Sequence, residues 1–212
     1  MDAEVFRAWI VSAAGVIEAN RDHLTQLDAA IGDADHGINL ARGFTAVLGA
    51  LDAAAKSLAT PGAILTMTGN TLISKVGGAS GPLYGTAFRR AGKALGDAAD
   101  VDLPALSAAL DAALAGVQQL GAAREGDKTM VDALAPATRA FSKAIAEGAS
   151  RDDALSVLAE AASAGAVATV SMQALKGRAS YLGPRSVGHE DPGAVSTALI
   201  LGALAAVAQA GQ

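Results

Sequence analysis

Apolar residues recur at helical spacing along nearly the whole chain. The first set is Phe6, Trp9, Ile10, Ala13 and Ile17, which would share one face of a helix. No run of alternating β-branched residues predicts a strand. The pattern predicts about eight helices, over residues 6 to 21–23, 40–51, 61–77, 82–95, 103–120, 129–146, 154–175 and 192–210.

Proline and aspartate positions mark where several of these helices begin. Pro61 and Pro104 suit the first turn of a helix, and Asp191 followed by Pro192 predicts an N-cap and a first helical residue. Pro136 predicts a kink in its helix or a later start. The short connections predict antiparallel neighbours in one all-α domain over residues 1–212, an up-and-down bundle or helical barrel.

Composition supports this prediction and excludes several classes of protein. Aromatic residues make up 3% of the 212 residues and glycines number 24, so the helices must approach each other closely. The chain has no cysteine, which excludes disulfides, thiolate zinc sites and cysteine nucleophiles and fits a reducing cytoplasm. A net charge of -5 lacks the basic excess of a nucleic-acid-binding protein.

Neither end of the chain predicts a membrane protein. Asp2, Glu4 and Arg7 precede any apolar run, which is wrong for a signal peptide. The uncharged stretch 192–212 is long enough to mimic a span, but it is mostly small residues and has no basic flank beyond Arg185. A buried helix of the bundle is the favoured interpretation.

The connections between helices concentrate the polar chemistry. Four have unusual composition, namely residues 28–39, 77–85, 121–130 and 177–193. Alternating helix directions allow all four to lie at one end of a bundle, although the helix count does not require it.

The first connection carries Asp28, Asp33 and Asp35 within eight residues. Three carboxylates this close repel one another unless a cation lies between them, and oxygen ligands without sulfur suit Mg²⁺ or Ca²⁺. An EF-hand is excluded because Phe44 stands where a bidentate glutamate is needed. Mg²⁺ usually shares its ligands with substrate phosphates. The alternative is that Asp33 or Asp35 only caps the next helix.

The second connection, Gly77 to Gly85, contains four glycines in nine residues and leads into a helix. Exposed backbone N–H groups and a helix N-terminus favour phosphate groups. It matches neither the P-loop nor the Rossmann pattern. A sharp turn between helices is the alternative, since glycine adopts such turns at little cost.

The other two connections contain candidate helix N-cap residues and two arginines. In residues 121–130, Asp127 or Thr129 could cap the following helix. Residues 177–193 are long for a connection, and such loops are often functional lids. Arg178 and Arg185 in this loop could bind phosphate, with solvent exposure as the alternative, above all for Arg185.

An acidic metal loop, a glycine-rich anion loop and an arginine-bearing lid together indicate phosphoryl transfer. Nucleophilic hydrolysis is disfavoured because no Gly-x-Ser-x-Gly elbow exists and the only histidines are His23, His36 and His189. Glycoside hydrolysis by a carboxylate pair stays open, although the three aspartates fit it poorly.

The same four segments resemble a known family. Residues 32–37 (GDADHG), 77–81 (GGASG), 126–130 (GDKTM) and 177–183 (GRASYLG) with 188–193 (GHEDPG) are similar, in order, to the nucleotide-binding L subunit of bacterial dihydroxyacetone kinase. The resemblance covers nearly the whole chain. It implies an eight-helix antiparallel barrel with the nucleotide at one end.

The resemblance also implies ligands for individual residues. Asp28, Asp33 and Asp35 would hold two Mg²⁺ ions that bridge the phosphates of ADP or ATP, and Arg178 would meet the transferring phosphate as the catalytic residue. Contacts with the nucleotide would come from His36, Gly37, Ile38, Asn39, Ala79, Ser80, Gly121, Met130, Arg178, Asp191, Pro192 and Gly193, with Gly121 and Met130 beside the base.

The partners follow from the same resemblance. A K subunit would hold dihydroxyacetone covalently through a histidine. A third M subunit of the phosphoenolpyruvate phosphotransferase system would recharge bound ADP in many relatives, whereas ATP exchanges in others. The sugar, the donor, the retention of ADP and the choice between monomer and homodimer stay open. Three alternative functions also stay open: a kinase for another short ketose or tetrose, a nucleotide-sensing regulatory module, and a structural helical scaffold.

Overall fold

The computed structural model describes residues 1–55 and 58–210. Within these ranges the chain forms helices and no strand, which confirms the predicted all-α class. Two short 3-10 helices, Thr169–Ser171 and Arg178–Ser186, lie in the connection before the last helix. The α-helices are α1 (Ala3–Ala19), α2 (Arg21–Ile31), α3 (His36–Ala53), α4 (Pro61–Lys75), α5 (Ser80–Leu95), α6 (Leu103–Gly121), α7 (Val131–Ala146), α8 (Arg151–Ala168) and α9 (Pro192–Ala210).

Eight of these helices form a closed ring of neighbours. Going round, α1 packs on α3, α3 on α4, and so on in chain order to α9, which packs back on α1. The helix α2 lies outside this ring, against α3 and α9. The inside of the ring is apolar, with Phe6, Trp9, Phe44, Phe88 and Phe141 each no more than 5% exposed.

Glycines allow the close approach that the composition predicts. A Cβ atom on Gly69 of α4 would lie 2.5 Å from the carbonyl oxygen of Gly85 on α5, so these two backbones touch. On α8, a Cβ atom on Gly165 would lie 2.2 Å from the carbonyl oxygen of Asp132. Pro136 has no N–H to donate to that carbonyl four residues earlier. The helix α7 nevertheless continues through Pro136, and the close contact with α8 covers this position.

The sequence prediction missed α2. It placed the end of the first helix near residues 21–23, whereas α1 ends at Ala19 and a second helix begins at Arg21. Asp28 therefore lies on a helix and not in a loop. The reason is that α2 buries only Leu24, Asp28 and Ile31, so its apolar stripe is too short to stand out.

Two predicted helix ends also need correction. The helix α8 ends at Ala168, not near residue 175, and a 3-10 turn follows it. Here the Thr169 carbonyl accepts a hydrogen bond from Lys128 Nζ at 2.6 Å, so it is held by a side chain from another loop. The helix α5 begins two residues before Pro82, which places this proline in the first turn.

Two helices are long and apolar enough to cross a membrane by length and composition alone, over residues 151–171 and 192–210. Half of the apolar window in α9 is buried against α1, α7 and α8. This burial agrees with the prediction of a bundle helix. The last two residues of the predicted stretch 192–212 lie outside the described residues.

Candidate functional site

The four unusual connections meet at one cavity of about 190 Å³. Its wall takes residues from the ends of α2, α3, α5 and α9 and from the loops before α3, α5, α7 and α9. Most of the predicted site residues line it, namely Asp28, Asp33, Asp35, His36, Ala79, Ser80, Met130, Arg178, Asp191, Pro192 and Gly193.

Three carboxylates form one wall of the cavity. One oxygen from each of Asp28, Asp33 and Asp35 can be chosen so that all three lie within 4.8 Å of one another. Asp28 is buried, Asp35 is half-buried and Asp33 is exposed. Three oxygens at this spacing can share one divalent cation, and a set of oxygens alone suits Mg²⁺. The donor set therefore fits the metal that the sequence predicts.

Asp28 also holds the start of α3. Its Oδ2 atom accepts hydrogen bonds from the backbone N–H groups of Asp35 at 2.9 Å and His36 at 3.1 Å. Gly32 leaves room for this carboxylate, because a Cβ atom at that position would lie 2.0 Å from Asp28 Oδ1. The second oxygen of Asp28 keeps its lone pairs for another ligand.

The capping alternative does not account for the other two aspartates. Asp35 occupies the N-cap position of α3, yet its side chain makes no capping hydrogen bond. Asp33 instead pairs with Arg178, whose Nε lies 3.0 Å from Asp33 Oδ2. Since Asp28 caps α3 from the preceding helix, the carboxylates of Asp33 and Asp35 face the cavity without a capping role.

His36 lines the cavity and belongs to a buried hydrogen-bond network. Its Nδ1 lies 3.0 Å from Ser80 Oγ and its Nε2 lies 2.8 Å from Ser196 Oγ. Tyr84 Oη lies 2.7 Å from Ser196 Oγ and 2.9 Å from Thr197 Oγ1. Burial lowers the pKa of His36 to about 4, although the nearby Asp28 opposes this shift. The neutral imidazole therefore connects α3, α5 and α9.

The glycine-rich connection supplies a helix N-terminus. Gly78 has φ +67° and Gly81 packs so tightly that a Cβ atom would lie 2.3 Å from the Val76 carbonyl oxygen. These two positions make the sharp turn, and they bring Ala79 and Ser80 to the cavity at the first turn of α5. The two interpretations of this loop, a sharp turn and an anion site, are thus compatible, because the turn brings the N-terminus of α5 to the cavity.

Buried charges hold the loop before α7, which brings Lys128, Thr129 and Met130 to the cavity. Asp132 accepts hydrogen bonds from the N–H groups of Gly126 at 2.5 Å and Thr129 at 2.7 Å. Asp127 accepts from the N–H of Arg124 at 2.9 Å. Lys128 donates from Nζ to the carbonyls of Thr169 and His189. Asp127 does not cap α7, whereas the Thr129 hydroxyl accepts from the Val131 N–H at 3.1 Å.

The long connection before α9 closes one side of the cavity. We call residues 172–191 the lid. Lys176 and Arg178 of the lid line the cavity. At its end, Asp191 caps α9 as predicted, since its Oδ2 accepts from the Ala194 N–H at 2.7 Å. Burial raises the pKa of Asp191 to about 7, against the opposing effect of that backbone hydrogen bond.

Four predicted nucleotide contacts do not line the cavity. Gly37 packs on α2, where a Cβ atom would lie 2.0 Å from the Arg21 carbonyl oxygen. Ile38 is 49% exposed, and Asn39 accepts a hydrogen bond from Arg42 Nη2 at 2.8 Å. Gly121 stands behind Leu83, which does line the cavity.

Sequence reasoning gave no role to several residues that the structure places here. Lys128, Lys176, Tyr84 and Ser196 lie in the cavity wall or its hydrogen-bond network. One local signal was available for Lys128, because a lysine between two short polar residues stands immediately before an apolar helix. Tyr84 and Ser196 gave no such signal, since their spacing fits an ordinary helix core.

A family model and two similar relatives place this chain in the same family. The model of the DAK2 domain matches residues 30–206. The chain is 42% identical over 201 residues to the Escherichia coli PEP-dependent dihydroxyacetone kinase, ADP-binding subunit DhaL, with 95% of each chain covered. It is 40% identical over 196 residues to the ADP-binding subunit DhaL of PEP-dependent dihydroxyacetone kinase 1 from Listeria innocua, with 92% of each covered.

A solved structure agrees with the sequence comparison. The dihydroxyacetone kinase of C. freundii in complex with AMP-PNP and Mg²⁺ superposes with a TM-score of 0.71 at 29% identity. The match covers 97% of the present chain and 34% of that longer chain. From the family model, the identity over nearly full length and the shared fold, this chain belongs to the DAK2 domain family.

Proposed function

We propose that this chain is the nucleotide-binding subunit of a dihydroxyacetone kinase. It binds Mg²⁺ with ADP or ATP and transfers a phosphoryl group to dihydroxyacetone held on a partner K subunit. The observation that carries this proposal is that one cavity contains three carboxylates, a helix N-terminus and an arginine. The names of the two subunit relatives support the same substrate.

The acidic wall is the proposed metal site. Asp28, Asp33 and Asp35 would hold two Mg²⁺ ions, which would neutralise the charge of the nucleotide phosphates. Asp28 is buried and fixed by two backbone N–H groups, so it sets the position of the site. Asp33 and Asp35 are more accessible and supply the remaining oxygens.

The neighbouring helix ends would bind the nucleotide. Ala79 and Ser80 line the cavity at the start of α5, where the N–H groups of a helix N-terminus would favour the phosphates. The N-terminal turn of α3, residues 36–39, contributes the same polarity from the other side. Met130 lies in the cavity wall and Gly121 just behind it, where they would flank the base. Asp191, Pro192 and Gly193 would close the site at the start of α9.

Arg178 would act on the transferring phosphate. Its side chain is 70% exposed and lines the cavity, so it stands where a second molecule can approach. Its partner Asp33 is also a proposed metal ligand, which places the guanidinium close to the phosphates that the metal would bind. A guanidinium stabilises the negative charge of the transferring group during the reaction.

The cavity also supports a partner on the same face. Arg178 of the lid lines the cavity with its side chain 70% exposed, so a partner that presents the sugar can reach it. The K subunit would therefore dock over the lid and the acidic wall. Recharging of bound ADP by a phosphotransferase M subunit is the proposed donor route, with exchange of ATP as the other, and the cytoplasm is the compartment in which such a system works.

The first experiment is to purify the chain without added nucleotide, denature it and assay the released nucleotide and Mg²⁺. Roughly one ADP per chain means that ADP is a retained cofactor recharged in place. An empty protein that binds added Mg·ATP indicates an ATP-exchanging subunit. A protein that refuses nucleotide in millimolar Mg²⁺ overturns the kinase proposal.

Turnover with a K-type partner then separates an enzyme from a sensor. A kinase subunit phosphorylates dihydroxyacetone with that partner present. A nucleotide-sensing module binds Mg·nucleotide equally well and shows no turnover. Assays with erythrulose and other short ketoses in place of dihydroxyacetone identify the sugar.

A further inference from the structure

Lys128 is a buried cation for which the proposed reaction has no role so far. The residue is 1% exposed, the lowest value among the buried charged residues of the described chain. Its Nζ atom donates to the carbonyl oxygens of Thr169, at 2.6 Å, and His189. Within residues 1–55 and 58–210, no carboxylate lies within ion-pair distance of this ammonium.

The two acceptors stand at opposite ends of the lid. Thr169 lies just before it, in the 3-10 turn after α8, and His189 lies three residues before α9. Further hydrogen bonds cross the same base: the Gly188 N–H donates to the Val170 carbonyl at 2.8 Å, and the Asp191 N–H donates to Thr169 Oγ1 at 2.9 Å. Lys128 reaches these ends from a third segment of the chain, the loop before α7.

The backbone at Lys128 adds a second argument. Its φ is +60°, in the left-handed region where a residue with a Cβ atom is strained and glycine is favoured. Strained positions persist where the surrounding structure or a function requires the side chain. Asp127 and Asp132 on either side hold this loop through backbone N–H groups, which fixes the lysine in that conformation.

We propose that Lys128 is a positioning residue for phosphoryl transfer. Its ammonium joins the two ends of the lid and so holds Arg178 on one side and Asp191 to Gly193 on the other around the nucleotide. The proposal rests on the proposed function for its consequence in catalysis. The clamp itself rests only on the hydrogen bonds at the base of the lid.

The charge of Lys128 suits this task. An ammonium has three donors, and two of them are taken by the carbonyl oxygens of Thr169 and His189. The third has no hydrogen-bond acceptor among the described residues and stands in the cavity wall. A neutral apolar side chain of similar length would remove a donor from the His189 carbonyl and leave the Thr169 carbonyl with the Met172 N–H at 3.1 Å. The lid ends would then be joined by the Gly188–Val170 and Asp191–Thr169 hydrogen bonds, which we expect to open more often.

The decisive test compares Lys128→Met with Lys143→Met, which removes an exposed lysine from α7. Amide hydrogen exchange is followed at Ala174, Gly188 and Asp191, whose N–H groups are bonded within or below the lid. We expect faster exchange at these amides in Lys128→Met, with the amides of α1 and α4 unchanged. Lys143→Met should match the parent chain everywhere.

The catalytic consequence is measured with a K-type partner. We expect kcat to fall by about 100-fold in Lys128→Met, since a misplacement of about 1 Å at a reacting group costs this much. The affinity for Mg·ADP should change much less, because the acidic wall and the start of α5 do not depend on the clamp. A loss of kcat that only follows a general loss of folded protein would mean a purely structural role and overturn the proposal.

The absence of cysteine allows a rescue experiment. Lys128→Cys is alkylated in urea with bromoethylamine, which rebuilds a lysine analogue, or with iodoacetamide, which gives a neutral amide, and both are refolded beside the parent chain. We expect the aminoethyl form alone to recover the slow lid exchange and kcat. Equal recovery in both forms, or in neither while the fold is intact, would contradict the clamp.

The hydrogen-exchange data distinguish failure of the kinase proposal from failure of the proposal that Lys128 holds the lid. If the parent chain binds no nucleotide, the kinase proposal fails, yet the lid amides still report whether Lys128 holds the lid. If the parent chain is active and the lid amides of Lys128→Met exchange at the parent rate, the clamp fails alone.

Discussion

Two charged clusters of the molecule use the same residue types in opposite ways. One is the acidic wall of the cavity; the other is Asp127, Lys128 and Asp132 at the start of α7, which we call the buried wall and of which Lys128 lines the cavity. Asp28, Asp33 and Asp35 form an acidic wall in which the outer two carboxylates are accessible and make no hydrogen bond to the backbone. On the buried wall, Asp127, Lys128 and Asp132 are at most 3% exposed, and each is bonded to backbone groups.

This difference separates residues that bind ligands from residues that hold the fold. A buried charge is stable only when its partners are provided by the protein, and the backbone provides them on the buried wall. Carboxylates that keep free lone pairs and lie close together need a cation instead. The comparison therefore predicts that the two walls will respond differently to the same substitution.

The largest expected effect on stability is on the buried wall. Asp132→Ala removes the carboxylate that accepts from the N–H groups of Gly126 and Thr129, which should lower the free energy of unfolding by about 3 kcal/mol, since each hydrogen bond to a charged group contributes about 1.5–3 kcal/mol. Asp35→Ala, the matched change on the acidic wall, should alter it by less than about 0.5 kcal/mol. Urea denaturation of both variants without metal measures the difference. Equal losses would erase the distinction between the walls.

The next largest effect is on ligand affinity. Asp33→Ala removes a proposed metal ligand and should weaken Mg·ADP binding by more than about 100-fold, because even second-shell partners of a metal change affinity by about 10- to 100-fold. Its stability without metal should be nearly unchanged. Titration calorimetry in millimolar Mg²⁺ is the measurement, with Asp97→Ala, just after the C-terminal end of α5, as the control. Unchanged affinity in Asp33→Ala would mean that the acidic wall holds no metal.

A smaller effect concerns the pH dependence of stability through Asp191. Its folded pKa of about 7 lies above its ordinary value of 3.8, so the folded state holds the proton more tightly than the unfolded state. This contribution is present at low pH and is lost as the pH rises from about 4 to about 7. The loss can reach about 1.4 kcal/mol per pH unit for one proton.

The contribution of His36 to the pH dependence of stability has the opposite sign to that of Asp191. The two contributions therefore partly cancel in the parent chain. The pKa of His36 is lowered from 6.5 to about 4, so its contribution is lost as the pH falls through the same range. The clean measurement is therefore the difference between Asp191→Asn and the parent chain in urea denaturation at pH 5, 6 and 7. We expect the variant to gain on the parent as the pH rises, and a constant difference would show that Asp191 stays ionised throughout.

The ring and the cavity differ in how far the sequence predicts them. The ring helices are long and periodic, so residues such as Phe6, Phe44 and Phe141 indicate their inner faces directly. The helix α2 was missed because it packs outside the ring with only a short buried face. The end of α8 was misplaced because Thr169 is held by Lys128, 41 residues earlier in the chain.

The same limit applies to the site. Asp33, Asp35 and the glycines of residues 77–81 could be predicted because their clustering is visible locally. The positions of Lys128 and Tyr84 could not, since their partners are backbone carbonyls and hydroxyls far along the chain. Local pattern predicts which segments carry chemistry, whereas the hydrogen bonds that orient them depend on the packed ring.

The smallest expected effect is the energy of the ion pair that joins the acidic wall to the lid. Arg178 and Asp33 lie 3.0 Å apart, with side chains that are 70% and 37% exposed. A double-mutant cycle with Arg178→Gln and Asp33→Asn, measured by urea denaturation, should give a coupling energy below about 1 kcal/mol that falls with added salt. An arginine held this weakly can leave Asp33 for a phosphate at little cost. A coupling of several kcal/mol that resists salt would instead mean that Arg178 is locked in place like the charges of the buried wall, and its proposed action on the phosphate would have to be given up.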